Sequence, residues 1–198
     1  SNISPNNVQV IHFGAFESYK SYDDMVLSKA QEGDYFLYLG YIKPYKGLKC
    51  LYDASKYLSQ SIRFIIAGGG YDESLDKFKQ NSNFKIINRF LSNEEVASLI
   101  RNCKAVVLPY ISASQSGLVQ TAMVYGKPVI ATRVGAFSEI IKDKKNGILV
   151  QPANATELAN AINSFDQYEF ASVYSEEYAW NYITHQYLEL FKKTYENN

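Results

Sequence analysis

Short runs of mostly apolar residues alternate with longer segments of mixed polarity about six times along the chain. Runs that are apolar at successive positions are typical of strands buried on both faces of a sheet. The six predicted strands are Tyr35–Gly40, Ile62–Ala67, Phe84–Ile87, Ala105–Pro109, Pro128–Ala131 and Gly147–Val150. Alternation of such strands with helices predicts an α/β fold, a doubly wound parallel sheet of about six strands with helices on both faces.

The segments between the strands carry helical signals. Apolar residues recur at helical spacing between Lys46 and Leu58. Ser92 followed by Glu95 is a capping box, which predicts a helix that continues through Arg101. Further helices are predicted over 71–80, 116–125, 138–141, 156–165 and the tail 168–195, and a short additional strand over 8–13.

Length, charge and cysteine content exclude several classes of protein. The 198 residues fit one full-sized domain. Because 20 Lys and Arg balance 20 Asp and Glu, the chain lacks the basic surplus of a nucleic-acid-binding domain. No apolar run approaches the ~20 residues that span a bilayer. Cys50 and Cys103 stand far apart without a Cys/His cluster, which predicts a reducing compartment and no metal site.

Two loops at predicted strand ends carry groups that suit an anionic, hydroxyl-bearing ligand. Ligands of open parallel sheets bind at the carboxyl ends of the strands. Loop 40–47 carries Lys43 and Lys46 and leads into a helix, whose N-terminal N–H groups and dipole attract anions. Segment 110–117 brings serine hydroxyls, an amide and a glycine to the start of the next helix. A solvated basic loop and a plain helix cap are the alternatives.

Two other glycine-containing segments do not match phosphate-binding motifs. Gly68–Gly70 is followed by acidic residues rather than by the remainder of a GxGxxG motif. Gly126-Lys127-Pro128 lacks the earlier glycine of a Walker A motif, because Thr121 occupies that position. Both segments are interpreted as turns.

Seven motifs, in this order and at these spacings, resemble the C-terminal half of a family 4 glycosyltransferase with the GT-B fold. They are Gly40…Lys46-Gly47, Gly68–Gly70, Phe90–Glu95, Val107–Tyr110, Gly126–Thr132, Val134–Glu139 and Asn146–Val150. The resemblance implies a Rossmann-like domain that binds a nucleotide-sugar donor and follows an N-terminal acceptor-binding domain. It further implies a transferase that retains the anomeric configuration and uses no bound metal or other cofactor.

The resemblance assigns binding roles residue by residue. The donor diphosphate would contact Gly40, Lys43, Lys46, Gly47, Ser116 and Gly117. The donor sugar and ribose would contact Ser114, Gln115, Gln120 and Thr121. The base would contact Arg89, Phe90 and Leu91, with a core position as the alternative for Phe90. No residue of this chain receives a catalytic or metal-binding role.

The sequence departs from the family pattern at two places. Tyr41 stands where the family usually has arginine, and we expect Lys43 to supply the missing charge. Ala113 and Thr121 stand where the family has two glutamates, so the ribose would meet neutral groups. The segment Ser112–Gly117 resembles a variant subfamily that occurs in bacterial surface-polysaccharide clusters.

The resemblance also implies a domain organisation. Residues 1–34 would be a leading segment from a missing N-terminal domain, 35–166 the nucleotide-sugar-binding domain, and 167–198 helices that pack back toward the missing domain. The chain contains 17 Tyr and 11 Phe, many of them in the first 45 residues and in the tail. We expect an exposed aromatic patch there, where the other domain would dock.

The expected function is donor binding in a retaining glycosyltransferase of bacterial surface-polysaccharide synthesis. A hexose would pass from a nucleoside-diphosphate sugar to a glycan or lipid-linked acceptor, in the cytoplasm or at the inner face of the membrane. Peripheral membrane attachment would occur through the missing domain, and this chain alone would be inactive. The alternatives are a GT-B-fold nucleotide-sugar epimerase and a non-catalytic nucleotide-sugar-binding or partner module.

Overall fold

All six predicted strands are present and form one parallel sheet. The computed structural model describes residues 8–12, 14–15, 17–22, 33–170 and 176–196. The strands are β1 (Phe36–Leu39), β2 (Phe64–Ala67), β3 (Phe84–Ile87), β4 (Ala105–Leu108), β5 (Val129–Thr132) and β6 (Gly147–Val150). Their order in the sheet is β3-β2-β1-β4-β5-β6, with every neighbouring pair parallel. This arrangement confirms the predicted Rossmann-like α/β fold.

Helices follow the strands within the described residues. They are α1 (Leu48–Ser55), α2 (Leu75–Phe78), α3 (Asn93–Asn102), α4 (Gly117–Val124), α5 (Phe137–Ile140), α6 (Ala155–Asn163) and α7 (Trp180–Glu196). Short 3-10 helices occur at Glu17–Tyr22, Pro44–Lys46, Phe165–Gln167 and Glu176–Tyr178. The predicted capping box is formed at α3, where Ser92 Oγ accepts the N–H of Glu95 and the Glu95 carboxylate accepts the N–H of Ser92.

One predicted helix is much shorter in the structure. The helix predicted over 71–80 is reduced to α2. The buried carboxylate of Asp72 accepts the N–H of Ser74 at 2.8 Å, which holds the residues before α2 in a turn.

Both ends of the chain also differ from the prediction. In the tail, residues 168–170 are not helical and α7 begins only at Trp180. The strand predicted over 8–13 is wrong for residues 8–12, which belong to no strand, and Phe13 lies outside the described residues.

Side chains from alternate strand positions enter two separate cores, one on each face of the sheet. In β1, Phe36 and Tyr38 face the core under α1, α2 and α6. Leu37 and Leu39 face the opposite core, under α3, α4 and α5. Because consecutive strand residues point to opposite faces, burial of both faces requires the uninterrupted apolar runs of the sequence.

The aromatic surplus divides between the core and α7. Phe36, Phe64 and Phe84 stack across β1, β2 and β3 with ring centroids 5.5 and 5.1 Å apart. On α7, by contrast, five aromatic side chains are exposed, namely Trp180, Tyr182, Tyr187, Phe191 and Tyr195. The tail therefore carries exposed aromatic side chains, as the sequence predicts. Phe13 and Phe16, which belong to the same predicted patch, lie outside the described residues, and docking of the patch to another domain stays a prediction.

The strand order reverses between β1 and β4, which places a crevice between the loops that follow these strands. Gly47, in the loop after β1, has a left-handed φ of 73°. A Cβ atom there would lie 1.8 Å from the carbonyl oxygen of Pro109, in the loop after β4. The two loops are therefore in backbone contact beside the crevice, and glycine is needed at this contact.

We predict that Gly47→Ala destabilises the chain much more than Gly126→Ala. Both glycines have left-handed φ values, 73° and 66°, but nothing lies within 4 Å of a Cβ atom at Gly126. Gly126→Ala should lower the free energy of unfolding by about 1 kcal/mol through backbone strain alone. Gly47→Ala should cost at least about 2 kcal/mol more, because the loops must also separate. Urea denaturation measures both costs, and equal losses would contradict the proposed loop contact.

Candidate functional site

A cavity of about 290 Å³ opens at the carboxyl edge of the sheet, beside the strand-order reversal. Its walls come from the loops after β1, β2, β3 and β4 and from the start of α4. The lining residues are Leu39, Gly40, Tyr41, Lys46, Gly68, Gly69, Arg89, Phe90, Leu91, Val96, Tyr110, Ser116, Leu118 and Thr121. The fold therefore places a pocket where ligands of open α/β sheets bind.

The loops after β1 and β2 approach each other closely on one side of the cavity. A Cβ atom at Gly68 would lie 2.0 Å from the carbonyl oxygen of Gly40. A Cβ atom at Gly40 would lie 3.2 Å from Lys46 Nζ. The missing side chain of Gly40 thus lets the Lys46 ammonium lie against the backbone at the end of β1.

Lys46 contributes a positive charge that has no counter-ion among the described residues. The side chain is half-buried, and Nζ lies 5.1 Å from the centroid of the Tyr110 ring. Other lysines, such as Lys49 and Lys104, form ion pairs with aspartates. An ammonium partly withdrawn from water and lacking a carboxylate partner is suited to bind an anion from solution.

The N-terminus of α4 supplies neutral polar groups to the same cavity. Ser116 is the N-cap residue, and its Oγ accepts the N–H of Leu118 at 3.4 Å. Thr121 donates its hydroxyl to the carbonyl of Gly117 at 2.8 Å. The hydroxyl oxygens of Ser116 and Thr121 are acceptors, and the first N–H groups of the helix are donors.

The loop after β3 forms an aromatic edge of the cavity. The Phe90 side chain is 82% exposed, which excludes the alternative core position for this residue. Its ring centroid lies 6.4 Å from that of Tyr41, with the two planes tilted by 34°. Lys43 Nζ lies 5.2 Å from the centroid of Tyr41, so Lys43 packs on the outer part of this edge rather than inside the cavity. Exposed ring faces of this kind provide stacking surfaces for a planar ligand.

Arg89 is bound to a carboxylate at the aromatic edge. Its guanidinium donates to both carboxylate oxygens of Glu95, at 2.8 and 2.5 Å, and also to the carbonyl of Phe90 at 3.0 Å. The Arg89 guanidinium and the N–H of Ser92 lower the pKa of Glu95 to about 2. Arg89 therefore fixes the shape of this loop, and its charge is compensated within the protein.

The structure brings together part of the predicted site. Seven predicted residues line the cavity: Gly40, Lys46, Arg89, Phe90, Leu91, Ser116 and Thr121. Gly117 begins α4 beside them, and Gly47 lines a second cavity of about 540 Å³ on the other side of the same loop. Ser114 and Gln115 are exposed outside the cavity, whereas Gln120 is buried in the helix and does not line it.

The cavity is also lined by four residues to which the sequence assigns no binding role: Tyr41, Gly68, Gly69 and Tyr110. Each of them lies at the carboxyl end of a predicted strand. That position is the signal by which they were identifiable.

The structure adds two observations on other kinds of site. Among the described residues, no group of three or more His, Cys, Asp or Glu side chains is arranged to hold a metal ion. No helix in the described part of the chain combines the length and the apolar character that crossing a membrane requires.

Comparison with known proteins gives one family. The family model described as glycosyl transferases group 1 matches residues 33–165. An uncharacterized glycosyltransferase of Methanocaldococcus jannaschii is 37% identical over 136 residues, which cover 66% of this chain and 38% of that protein. O-antigen chain mannosyltransferase C of Escherichia coli is 26% identical over 163 residues, which cover 78% of this chain and 43% of that protein.

Solved structures share the fold. HepE of Anabaena, solved in complex with UDP-glucose, superposes with a TM-score of 0.72 at 20% identity. The match covers 96% of this chain and 58% of HepE. The chain thus spans less than half of the two sequence relatives and somewhat more than half of this structural neighbour.

We predict that Glu95→Gln destabilises the chain at neutral pH and that the effect disappears in acid. The folded-state pKa of Glu95, about 2, lies below the ordinary value of 4.5. The stabilising contribution of the carboxylate is therefore complete above about pH 4.5 and is lost as the pH falls toward 2. Urea-denaturation midpoints of wild type and variant, measured from pH 7 to pH 2, should converge over that interval.

Arg89→Met is the matched variant, because it removes the same pair from the other side. The difference in urea-denaturation midpoint between Arg89→Met and wild type should narrow over the same interval of pH. A gap between wild type and Glu95→Gln that stays constant from pH 7 to pH 2 would contradict the assigned pair.

Proposed function

The chain belongs to the glycosyl transferases group 1 family, and we propose that it binds the nucleoside-diphosphate sugar donor of a hexosyltransferase. The observation that carries this proposal is the uncompensated ammonium of Lys46 in the cavity at the strand-order reversal. A diphosphate is the part of such a donor that requires a positive charge. The complex of HepE with UDP-glucose supports the proposed class of ligand.

In the proposed complex, each wall of the cavity contacts one part of the donor. The diphosphate lies between Lys46 and the first N–H groups of α4. The base stacks on the edge formed by Phe90 and Tyr41. Ribose and sugar hydroxyls reach the side chain of Ser116, and they border Thr121, a buried residue whose hydroxyl donates to the carbonyl of Gly117.

This placement also suits the chemistry of glycosyl transfer. Breaking the bond between the sugar and the diphosphate builds positive charge on the sugar and negative charge on the departing phosphate. Lys46 and the α4 N-terminus are fixed where that negative charge would grow, so they stabilise the transition state more than the ground state. The proposed arrangement needs no metal ion, because these groups neutralise the leaving group.

The proposal also names the class of acceptor that receives the sugar. The Escherichia coli relative is named as an O-antigen chain mannosyltransferase, which supports a glycan or lipid-linked acceptor in surface-polysaccharide synthesis. We propose transfer with retained anomeric configuration, in the cytoplasm or at the inner face of the membrane. The proposed organisation keeps residues 35–166 as the donor domain and assigns acceptor binding to a further domain.

Two alternative functions make different predictions. An epimerase acting on nucleotide sugars needs acid or base groups beside the sugar, but no aspartate or glutamate lines the cavity in the described part of the chain. A non-catalytic module would keep the anion site and bind no acceptor. Calorimetric titration with UDP, GDP and their sugars tests the nucleotide binding that all three functions share, and failure of every nucleotide to bind would contradict donor binding.

We predict that Lys46→Ala weakens binding of UDP or GDP by about tenfold to hundredfold, because charge-assisted contacts to the diphosphate are lost. Lys127→Ala is the matched control, since Lys127 is a half-buried lysine that lies near Cys103 and lines neither cavity. Its dissociation constant should stay within about twofold of wild type. Equal losses in the two variants would contradict the assignment of Lys46.

We predict that this chain alone binds the donor without transferring the sugar. The chain spans 38% of one relative and 43% of another, so acceptor-binding groups are proposed to lie outside it. Incubation with a radiolabelled nucleotide sugar and a lipid-linked or glycan acceptor should give no labelled product. Transfer of the sugar above the rate of a no-protein control would contradict the proposal that the acceptor-binding groups lie outside this chain.

A further inference from the structure

The ring of Tyr110 is enclosed between three side chains at the base of the cavity. Tyr110 is only 2% exposed, although it lies in a loop, two residues after the end of β4. Phe137 packs on it with ring centroids 5.5 Å apart, and Tyr45 meets it edge-on at 6.4 Å and 81°. The ammonium of Lys46 lies 5.1 Å from its centroid. The aromatic ring thus forms a fixed surface beneath the cation.

The hydroxyl of Tyr110 has no part in this arrangement. Its oxygen is buried and has no hydrogen-bond partner among the described residues. Because the oxygen is inaccessible and the whole side chain is buried, Tyr110 influences the cavity through the contact of its ring with Lys46. Tyr110 therefore contributes the face of its ring to this site, and not its hydroxyl.

Lys46 needs such a surface, because a lysine side chain has four rotatable carbon–carbon bonds and no fixed direction of its own. No carboxylate of the described residues lies within ion-pair distance to fix its position. The negative face of an aromatic ring attracts an ammonium without neutralising its charge. The backbone of Gly40 limits the ammonium from another side, since a Cβ atom there would come within 3.2 Å of Nζ.

We propose that Tyr110 is a positioning residue for Lys46, whose ring holds the ammonium in the cavity before the anion arrives. A carboxylate at this place would hold the lysine equally well but would cancel the charge that the ligand requires. The aromatic ring orients the cation and leaves its charge available. This inference rests on the proposed binding of a nucleoside diphosphate and adds a residue that the sequence resemblance does not assign.

The first test measures Lys46 in the free chain. Protons that lie over the face of an aromatic ring shift upfield in the NMR spectrum. The Cε protons of Lys46, assigned by comparison with Lys46→Ala, should therefore be shifted upfield in wild type and in Tyr110→Phe. They should return to ordinary lysine values in Tyr110→Met, which fills the space without an aromatic face. Ordinary values in the folded wild type would overturn the inference, whether or not Tyr110→Met folds.

The second test is a double-mutant cycle, read by calorimetric titration with UDP and GDP. Tyr110→Met should weaken binding by about fivefold to thirtyfold, whereas Tyr110→Phe should stay within about twofold of wild type. In the Lys46→Ala background, Tyr110→Met should cause no further loss, because its effect acts through Lys46. The same loss in both backgrounds would show a packing role and overturn the inference.

Tyr38→Met is the control for damage to the core. Tyr38 is 1% exposed and also has a buried hydroxyl without a partner, but no described lysine lies over its ring. The Tyr38→Met substitution should lower the thermal unfolding midpoint and leave nucleotide affinity within about twofold of wild type. An equal loss of affinity in Tyr38→Met would overturn the inference. Wild type that binds neither nucleotide would overturn the proposed function and this inference together, whereas binding that Tyr110→Met leaves unchanged would overturn this inference alone.

Discussion

The functional site depends on the close approach of three backbone loops at the carboxyl edge of the sheet. Gly40, Gly47 and Gly68 permit it, because a side chain on any of them would meet the neighbouring loop or the Lys46 ammonium. Because the loops lie close together, Lys46 packs on the ring of Tyr110 and the start of α4 borders the same cavity. Without this close approach, the sheet would keep its two cores, but the polar groups would not converge on one ligand.

The formal charges of the chain sum to zero, so the positive charge at the site comes from individual side chains and not from a general surplus of basic residues. Arg89 and Lys46 both line the cavity, yet they have different roles. Arg89 is compensated by Glu95 and orders the loop after β3, whereas Lys46 rests on a neutral ring and keeps its charge available. A site of this kind attracts one compact anion and not an extended polyanion.

The sequence predicts the sheet well, because burial on both faces leaves a continuous apolar run at each strand. It predicts α2 poorly, because the turn before that helix depends on the burial of Asp72, which no local pattern reveals. The sequence assigns both Lys43 and Lys46 to the diphosphate, although only Lys46 belongs to a family motif. Their different positions depend on packing, because Lys46 lies over the Tyr110 ring and Lys43 over the Tyr41 ring. Gln120 lies in a helix that is apolar on nearly every side, so residue spacing does not indicate which side faces the cavity.

The most direct test of donor binding is a ¹⁵N-edited NMR titration of the chain with UDP and with GDP. If the donor binds in the first cavity, amide shifts should change in residues 40–47, 89–91, 110 and 116–121, which form that cavity and its borders. Residues of α7 should be unaffected. Changes confined to the second cavity around 71–74, changes confined to α7, or no change at saturating nucleotide would contradict the account.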